Sequence, residues 1–317
     1  MTRVLIERRS FLAASSLAAA VCGRNSAANP KTRLPISLFC KPFHWAPVPE
    51  MAAMARDLGF DAIELTVRRE GYIQPERVTG DLPAAVEIIR KAGLSVSMIT
   101  TDIVDARTPH TADMLRTASK LGIHYYRWKG FQYDYAKPLA PQLKALRAPV
   151  ADLAAVTKEF GLRGLYHAHS GRKYVGANFA DLWYLLEDID SKVLGVNFDT
   201  GHATAEGGRG AWRNSLGLLL PHVGGLAVKD FVWEKDSRGR WEVRWCELGK
   251  GMIQLPEILS ELSNVGFQGP VSMHFEQPEL GVALHGGKVL DVPREQFLAI
   301  FRRDLPTLRA AMQRAGF

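Results

Sequence analysis

Only three of the 317 residues are cysteine, too few for a disulfide scaffold and in no spacing that ligates a metal. Cys40 and Cys246 lie far apart in sequence, and spacing leaves open whether they pair. No apolar run is long enough to span a bilayer, the longest being about twelve residues near the N-terminus, so stable membrane insertion is not expected. No basic tract interleaved with aromatics occurs, which makes nucleic acid a poor partner. No glycine-rich turn of the phosphate-binding kind follows a strand, which argues against an open doubly wound sheet. From residue 35 onward no proline-, glycine- or serine-rich linker interrupts the chain, so one large domain is expected.

The first 28 residues differ in kind. Arg3, Arg8 and Arg9 precede the weakly apolar stretch FLAASSLAAAVC, and Ser26-Ala27-Ala28 suits a signal peptidase. Arg8-Arg9-Ser10-Phe11-Leu12 resembles a twin-arginine export signal, with an ordinary secretory signal as the alternative. The expected organisation is therefore a signal peptide over 1–28, a single domain over 29–317 and a periplasmic location. Cleavage removes four arginines and one glutamate and lowers the formal charge from +7 to +4.

Beyond residue 35, short β-branched runs alternate with amphipathic segments of about three turns. Eight strands are expected, at 35–40, 61–67, 94–100, 124–130, 162–169, 193–199, 225–231 and 270–276, and several intervening helical patterns stop at a glycine suited to a C-cap. Eight βα units in about 280 residues fit a closed parallel (β/α)8 TIM barrel. Long connections follow the seventh strand (232–253, with Trp233, Trp241 and Trp245) and the eighth (277–294, with His285). Three tryptophans in one connection suggest a pocket wall.

Barrel enzymes assemble their chemistry at the C-terminal ends of the strands. Here those ends carry Glu64, Lys129, His167 and His169, Asp199 followed by His202, Lys229 and Asp230, then His274 and Glu276. Alternation puts His274 and Glu276 on one face and Met273 and Phe275 on the other, so the polar set is expected to point into the barrel. One such residue is ordinarily a capped or paired structural group. Six strand ends of this kind in one barrel are costly to bury unless the groups pair, bind metal or stay solvated. Imidazole with carboxylate suits a divalent cation such as Mn, Zn, Co or Fe.

The segment VNFDTGHATAEGG resembles the sixth-strand motif of the xylose-isomerase-like sugar isomerase/epimerase superfamily. IELTV, LYHAHSG, VKDF, LGKGMIQLPEIL and GPVSMHFE follow the same family order, so the resemblance covers roughly residues 35–315. It implies a TIM barrel acting on a small carbohydrate, and a family habit of association that would allow a homo-oligomer. The family's common metal set is Glu, Asp, His and Glu on strands five to eight. Asp199 and Glu276 match it, whereas His167 stands at the strand-five position and Ala227 at the strand-seven position. The resemblance thus implies a metal held by His167, Asp199 and Glu276. It gives His169, Lys229 and Glu64 catalytic parts, and His202, Lys129, His274 and Trp233 contacts to substrate. The expected reaction is isomerisation or epimerisation by proton abstraction beside a carbonyl. Elimination from a 3-keto-glycoside or inosose is the alternative, and a noncatalytic sugar-binding or scaffolding barrel is a third reading, favoured by Ala227.

Overall fold

A computed structural model describes residues 33–317. The expected signal peptide, with Cys22, lies outside the described residues. Eight parallel strands close into a barrel: β1 (Ile36–Phe39), β2 (Ala62–Val67), β3 (Ser95–Thr101), β4 (Tyr125–Trp128), β5 (Arg163–His167), β6 (Leu194–Asp199), β7 (Val223–Val228) and, after the hairpin strands β8 (Asp230–Lys235) and β9 (Trp241–Cys246), β10 (Val271–Met273). The helices are α1 (Val48–Leu58), α2 (Val78–Lys91), α3 (Thr111–Lys120), α4 (Leu139–Ala145), α5 (Arg147–Glu159), α6 (Ala180–Leu186), α7 (Thr200–Leu219), α8 (Leu255–Asn264) and α9 (Arg294–Arg314). The (β/α)8 architecture read from the alternation is the one observed.

Strand alternation separates two environments. Leu38, Ile63, Ile99, Tyr126, Tyr166, Val196, Leu226, Met273 and Phe275 join one apolar cluster with the helices. The opposite face is largely polar: Ser37, Glu64, Thr100, Arg127, His167, Asn197, Asp199 and His274 are all buried. Cys40 and Cys246 are both free thiols. Among the described residues no helix is long and apolar enough to cross a membrane.

Three strand expectations need correction. The fifth strand stops at His167 and the eighth at Met273, so His169, His274 and Glu276 stand just past the ends of their strands. The expected seventh strand, 225–231, merges two elements: β7 ends at Val228, and Asp230 opens the antiparallel β8–β9 hairpin. Asp230 is what turns the chain. Its Oδ1 accepts the backbone N–H groups of Phe231 (2.8 Å) and Ile253 (3.2 Å), and Oδ2 accepts those of Gly249 and Gly251 (both 3.0 Å). A Cβ at Gly251 would collide with this carboxylate. Four amides on one buried anion form a charge-assisted clamp across the root of the hairpin. Asp230→Ala is expected to cost about 3 kcal/mol, because four amides, that of buried Phe231 among them, lose one shared charged acceptor. Urea unfolding checks the loss, and hydrogen exchange should place the lost protection at 230–253.

Candidate active site

The segment Asp199-Thr200-Gly201-His202 shows why these residue types occur in this order. Asp199 ends β6 and caps α7, its Oδ1 accepting the His202 N–H at 2.8 Å. Thr200 Oγ1 donates to the Lys229 carbonyl (2.9 Å) and accepts the Lys229 N–H (3.2 Å), stitching the start of α7 to the end of β7. A Cβ at Gly201 would come within 2.6 Å of Trp245 and 2.9 Å of the Lys229 side chain, so only glycine permits this approach. His202 then faces Lys229, Nε2 to Nζ 2.8 Å, with its Nδ1 2.7 Å from Ser170 Oγ.

Lys229 is the cationic centre of the site. Its Nζ lies 2.9 Å from Glu276 Oε2, 3.5 Å from Asp199 Oδ2 and 4.0 Å from the centroid of the Trp245 ring. Unequal distances split the two carboxyls. Burial opposes ionisation of Glu276, but Lys229 and Lys41 (3.4 Å) overcome it and hold the group well below the usual range. Burial of Asp199 wins over the more distant Lys229 and raises its pKa. Asp199 Oδ2 is fully buried and accepts no hydrogen bond.

Beside that oxygen stand two imidazoles. His167 Nε2 lies 3.4 Å from Asp199 Oδ2, and its ring stacks 5.2 Å from that of His274. The donor atoms of His167, Asp199 and His274 all fall within 4.8 Å of one another, as do those of His167, His169 and His202. Burial, with Arg127 next to it, pushes the pKa of His167 far down and keeps the ring neutral, the form that binds metal. Asn197 Nδ2 faces His167 Nδ1 at 3.0 Å, while Asn197 Oδ1 is buried without a partner. Turning that amide over would let Oδ1 accept the Nδ1 proton and release the Nε2 lone pair. An orphaned buried carboxylate oxygen between the imidazoles of His167 and His274 fits a borderline divalent cation.

Behind His274 lies Glu64. Its Oε2 meets His274 Nε2 at 2.9 Å, its Oε1 accepts from Thr100 Oγ1 at 2.5 Å, and Arg127 is 3.7 Å away. Burial works against its charge, yet His274 and Arg127 hold the carboxyl down at about 2. Glu64 is 0% exposed, and both of its oxygens are engaged. His169 is only half-buried, with Nε2 3.4 Å from Arg127 Nη2, and it lines a cavity of about 570 Å³ together with Arg68, Arg127 and Tyr174. Burial, Arg127 and Lys229 keep its ring neutral as well.

Of the residues expected at the site, the structure brings together Glu64, His167, His169, Asp199, His202, Lys229, His274 and Glu276. The third donor beside His167 and Asp199 is His274, which was expected at substrate, whereas Glu276 is taken up by two lysines. Lys129 is exposed on the cavity wall. Trp233 does not reach the site: it lines a separate hollow with Thr204, Arg209 and Met252 and is 40% exposed. Of the three tryptophans only Trp245, at the hairpin root, touches Lys229 and His202. Sequence reasoning missed Arg127, Lys41 and Asn197. Arg127 shares its strand face with Lys129, and that parity was the available signal.

Comparison with known proteins agrees with this architecture. The D-psicose 3-epimerase of Clostridium cellulolyticum H10, solved with D-tagatose, superposes with a TM-score of 0.63 at 13% identity, over 88% of this chain and 99% of that one. The 3-keto-D-glucoside 4-epimerase of E. coli gives 0.62 at 14% identity, over 88% and 100%. A xylose isomerase-like TIM-barrel protein of Mycobacterium smegmatis, in complex with magnesium, gives 0.61 at 17%, over 88% and 98%. At these identities the likeness is one of fold. In sequence, 128 residues are 27% identical to an uncharacterized protein of Methanocaldococcus jannaschii, covering 39% of this chain and only 40% of that relative. The family model described as xylose isomerase-like TIM barrel matches residues 52–292, well over half the chain. A closed eight-stranded barrel with its polar groups gathered at one mouth, matched over that span, makes the chain a member of the xylose isomerase-like TIM-barrel family.

Proposed function

We propose that this protein is a divalent-metal-dependent enzyme that isomerises or epimerises a sugar or oxidised sugar by withdrawing a proton from the carbon beside its carbonyl. The observation that carries this reading is Asp199 Oδ2, a buried carboxylate oxygen without a hydrogen bond, set against His167 and His274, with the ring of His169 between His167 and the cavity that His169 lines. A cation of the Mn, Zn, Co or Fe class held by His167, Asp199 and His274 would polarise the carbonyl and acidify the adjacent C–H.

The chain's own residues supply the rest. His169, neutral and on the cavity wall, takes the proton on Nε2, since its 3.4 Å contact with Arg127 is too long to hold that lone pair firmly. Lys229, fixed by Glu276 and Trp245, presents an ammonium to the negative charge that develops on the substrate oxygen. His202, held by Ser170 through Nδ1, accepts from the Lys229 ammonium through Nε2 and fixes its direction. Glu64 stays out of proton transfer and orients His274, as carboxylates behind metal-binding histidines do. Isomerisation returns the proton from His169 to the former carbonyl carbon, while the proton of the adjacent hydroxyl passes to the former carbonyl oxygen.

With Glu276 tied to two lysines, one base serves the cavity, so abstraction is one-sided. That arrangement favours a second reading, in which the same proton loss is followed by departure of a group from the next carbon of a 3-keto-glycoside or inosose. In either case residues 1–28 would act as the export signal, and the enzyme would work on carbohydrate in the periplasm.

The test is run in heavy water, on metal-loaded protein with ketoses, inososes and 3-keto-glucosides, and read by NMR. Isomerisation deposits deuterium beside the carbonyl. Elimination leaves an unsaturated ketone absorbing in the near ultraviolet. His169→Ala is expected to slow exchange about 10²–10³-fold. Epimerisation that survives this change would overturn the one-base mechanism, and inertness to the whole panel would leave a sugar-binding barrel without catalysis.

A further inference from the structure

The cavity beside His169 is more cationic than the chemistry at its floor requires. Three floor carboxylates, Glu64, Asp199 and Glu276, are matched by three cations, Arg127, Lys229 and Lys41. The wall adds Arg68, Arg69 and Lys129 against Asp102 and Glu70. Arg69 has a partner, 3.9 Å from Asp102. Arg68 has none among the described residues: it is half-buried on the cavity wall, and its guanidinium meets no carboxylate, carbonyl or aromatic ring of theirs. Arg127 Nη1 is buried without a hydrogen bond.

A guanidinium stripped of part of its water and given no acceptor is costly, and a ligand that brings an anion recovers the cost. The same field is felt by His44 on the cavity wall, which burial, Lys288 and Arg68 push down to about 3. No residue lining the cavity belongs to the first turn of a helix. The array of backbone N–H groups that usually receives a doubly charged phosphate is therefore missing from its walls. A planar guanidinium with one ammonium nearby suits a singly charged, planar group.

We propose that the substrate is a sugar acid, a keto sugar whose carboxylate is held by Arg68 and Lys129 while its carbonyl end lies against His169. This rests on the reading of the site as a sugar-transforming centre and adds the class of sugar. The experiment uses three ketoses that differ only at C6: D-fructose, D-fructuronate and D-fructose 6-phosphate. Binding to the metal-loaded protein is measured by calorimetry and exchange in heavy water by NMR. Fructuronate is expected to bind at least about tenfold tighter than fructose. About 0.5 M NaCl should erase most of that preference, and Arg68→Gln should bring the ratio of the two affinities close to one. Arg68 holds no partner among the described residues, so the variant should melt with the parent. Equal affinities in the unmodified protein, or a preference that survives both Arg68→Gln and salt, would overturn the assignment. A preference for the 6-phosphate would overturn it in favour of phosphate. Selective binding of fructuronate with no deuterium incorporation would leave this assignment standing and sink the catalytic reading. Exchange on fructose without preference would do the reverse.

Discussion

Replacing Asp199 by asparagine is expected to strip the protein of bound divalent metal and to lower turnover about 10²–10³-fold. The substitution isolates charge from shape. An asparagine can still accept the His202 N–H through its side-chain oxygen and keep α7 capped, so the barrel should remain folded. What disappears is the negative charge on Oδ2, the one buried carboxylate oxygen of the site left without a hydrogen bond. Without it only the imidazoles of His167 and His274 remain, with no anionic ligand beside them, a poor seat for a cation. Elemental analysis after loading with Mn, Zn or Co, together with solvent exchange on an accepted sugar, checks both halves. Metal content and exchange equal to the parent protein would move the seat elsewhere, with the three-imidazole group of His167, His169 and His202 as the next place to look.

Lys229→Met should produce the largest loss of stability of any single change at the mouth, about 3–5 kcal/mol in the presence of a chelator. The ammonium lies between Glu276 at 2.9 Å and Asp199 at 3.5 Å, and methionine removes it while leaving Asp199 fully buried. Glu276 keeps Lys41, but among the described residues the other group within ion-pair distance of Asp199 is His167, whose ring burial keeps neutral. Part of the loss should return on adding Mn or Zn, because a cation held by His167, Asp199 and His274 would balance the Asp199 charge. Saturation at about a hundred times the dissociation constant supplies about 2.7 kcal/mol. Urea unfolding with and without metal measures both effects. A variant as stable as the parent in chelator would show that Lys229 does not balance these carboxylates.

What the amino-acid sequence made legible was parity, and what it hid was depth. Alternation set His274 and Glu276 against Met273 and Phe275, and the last two do join the apolar cluster, because a period of two is a property of the extended chain itself. How far along the barrel axis each residue sits depends on tilt and on where the loops diverge, which no local pattern records. Glu64 therefore looks in sequence like a group open to substrate, yet it sits beneath His274, opposite Phe39 across the β1–β2 pair. Arg127 and Lys129 have the same parity. Arg127 is on β4 and buried, while Lys129 lies past its end and is exposed. The hairpin repeats the lesson. Trp233 pairs with Val243, Lys235 with Trp241 and Phe231 with Trp245, so the three tryptophans share one face. Only the one at the root is deep enough to meet Lys229.

The Asp230 clamp grips the chain through main-chain N–H groups alone. Apart from Gly251, whose missing Cβ makes room for the carboxylate, it is indifferent to which side chains the gripped segment carries. The outer hairpin, where Trp233 and Trp241 are exposed, can therefore be rewritten residue by residue while its root stays anchored beside Lys229. For protein engineering this separates two design problems that share one short stretch of chain. The tip is an interchangeable module, a place to graft new recognition, and the catalytic chassis beneath it need not be retuned each time.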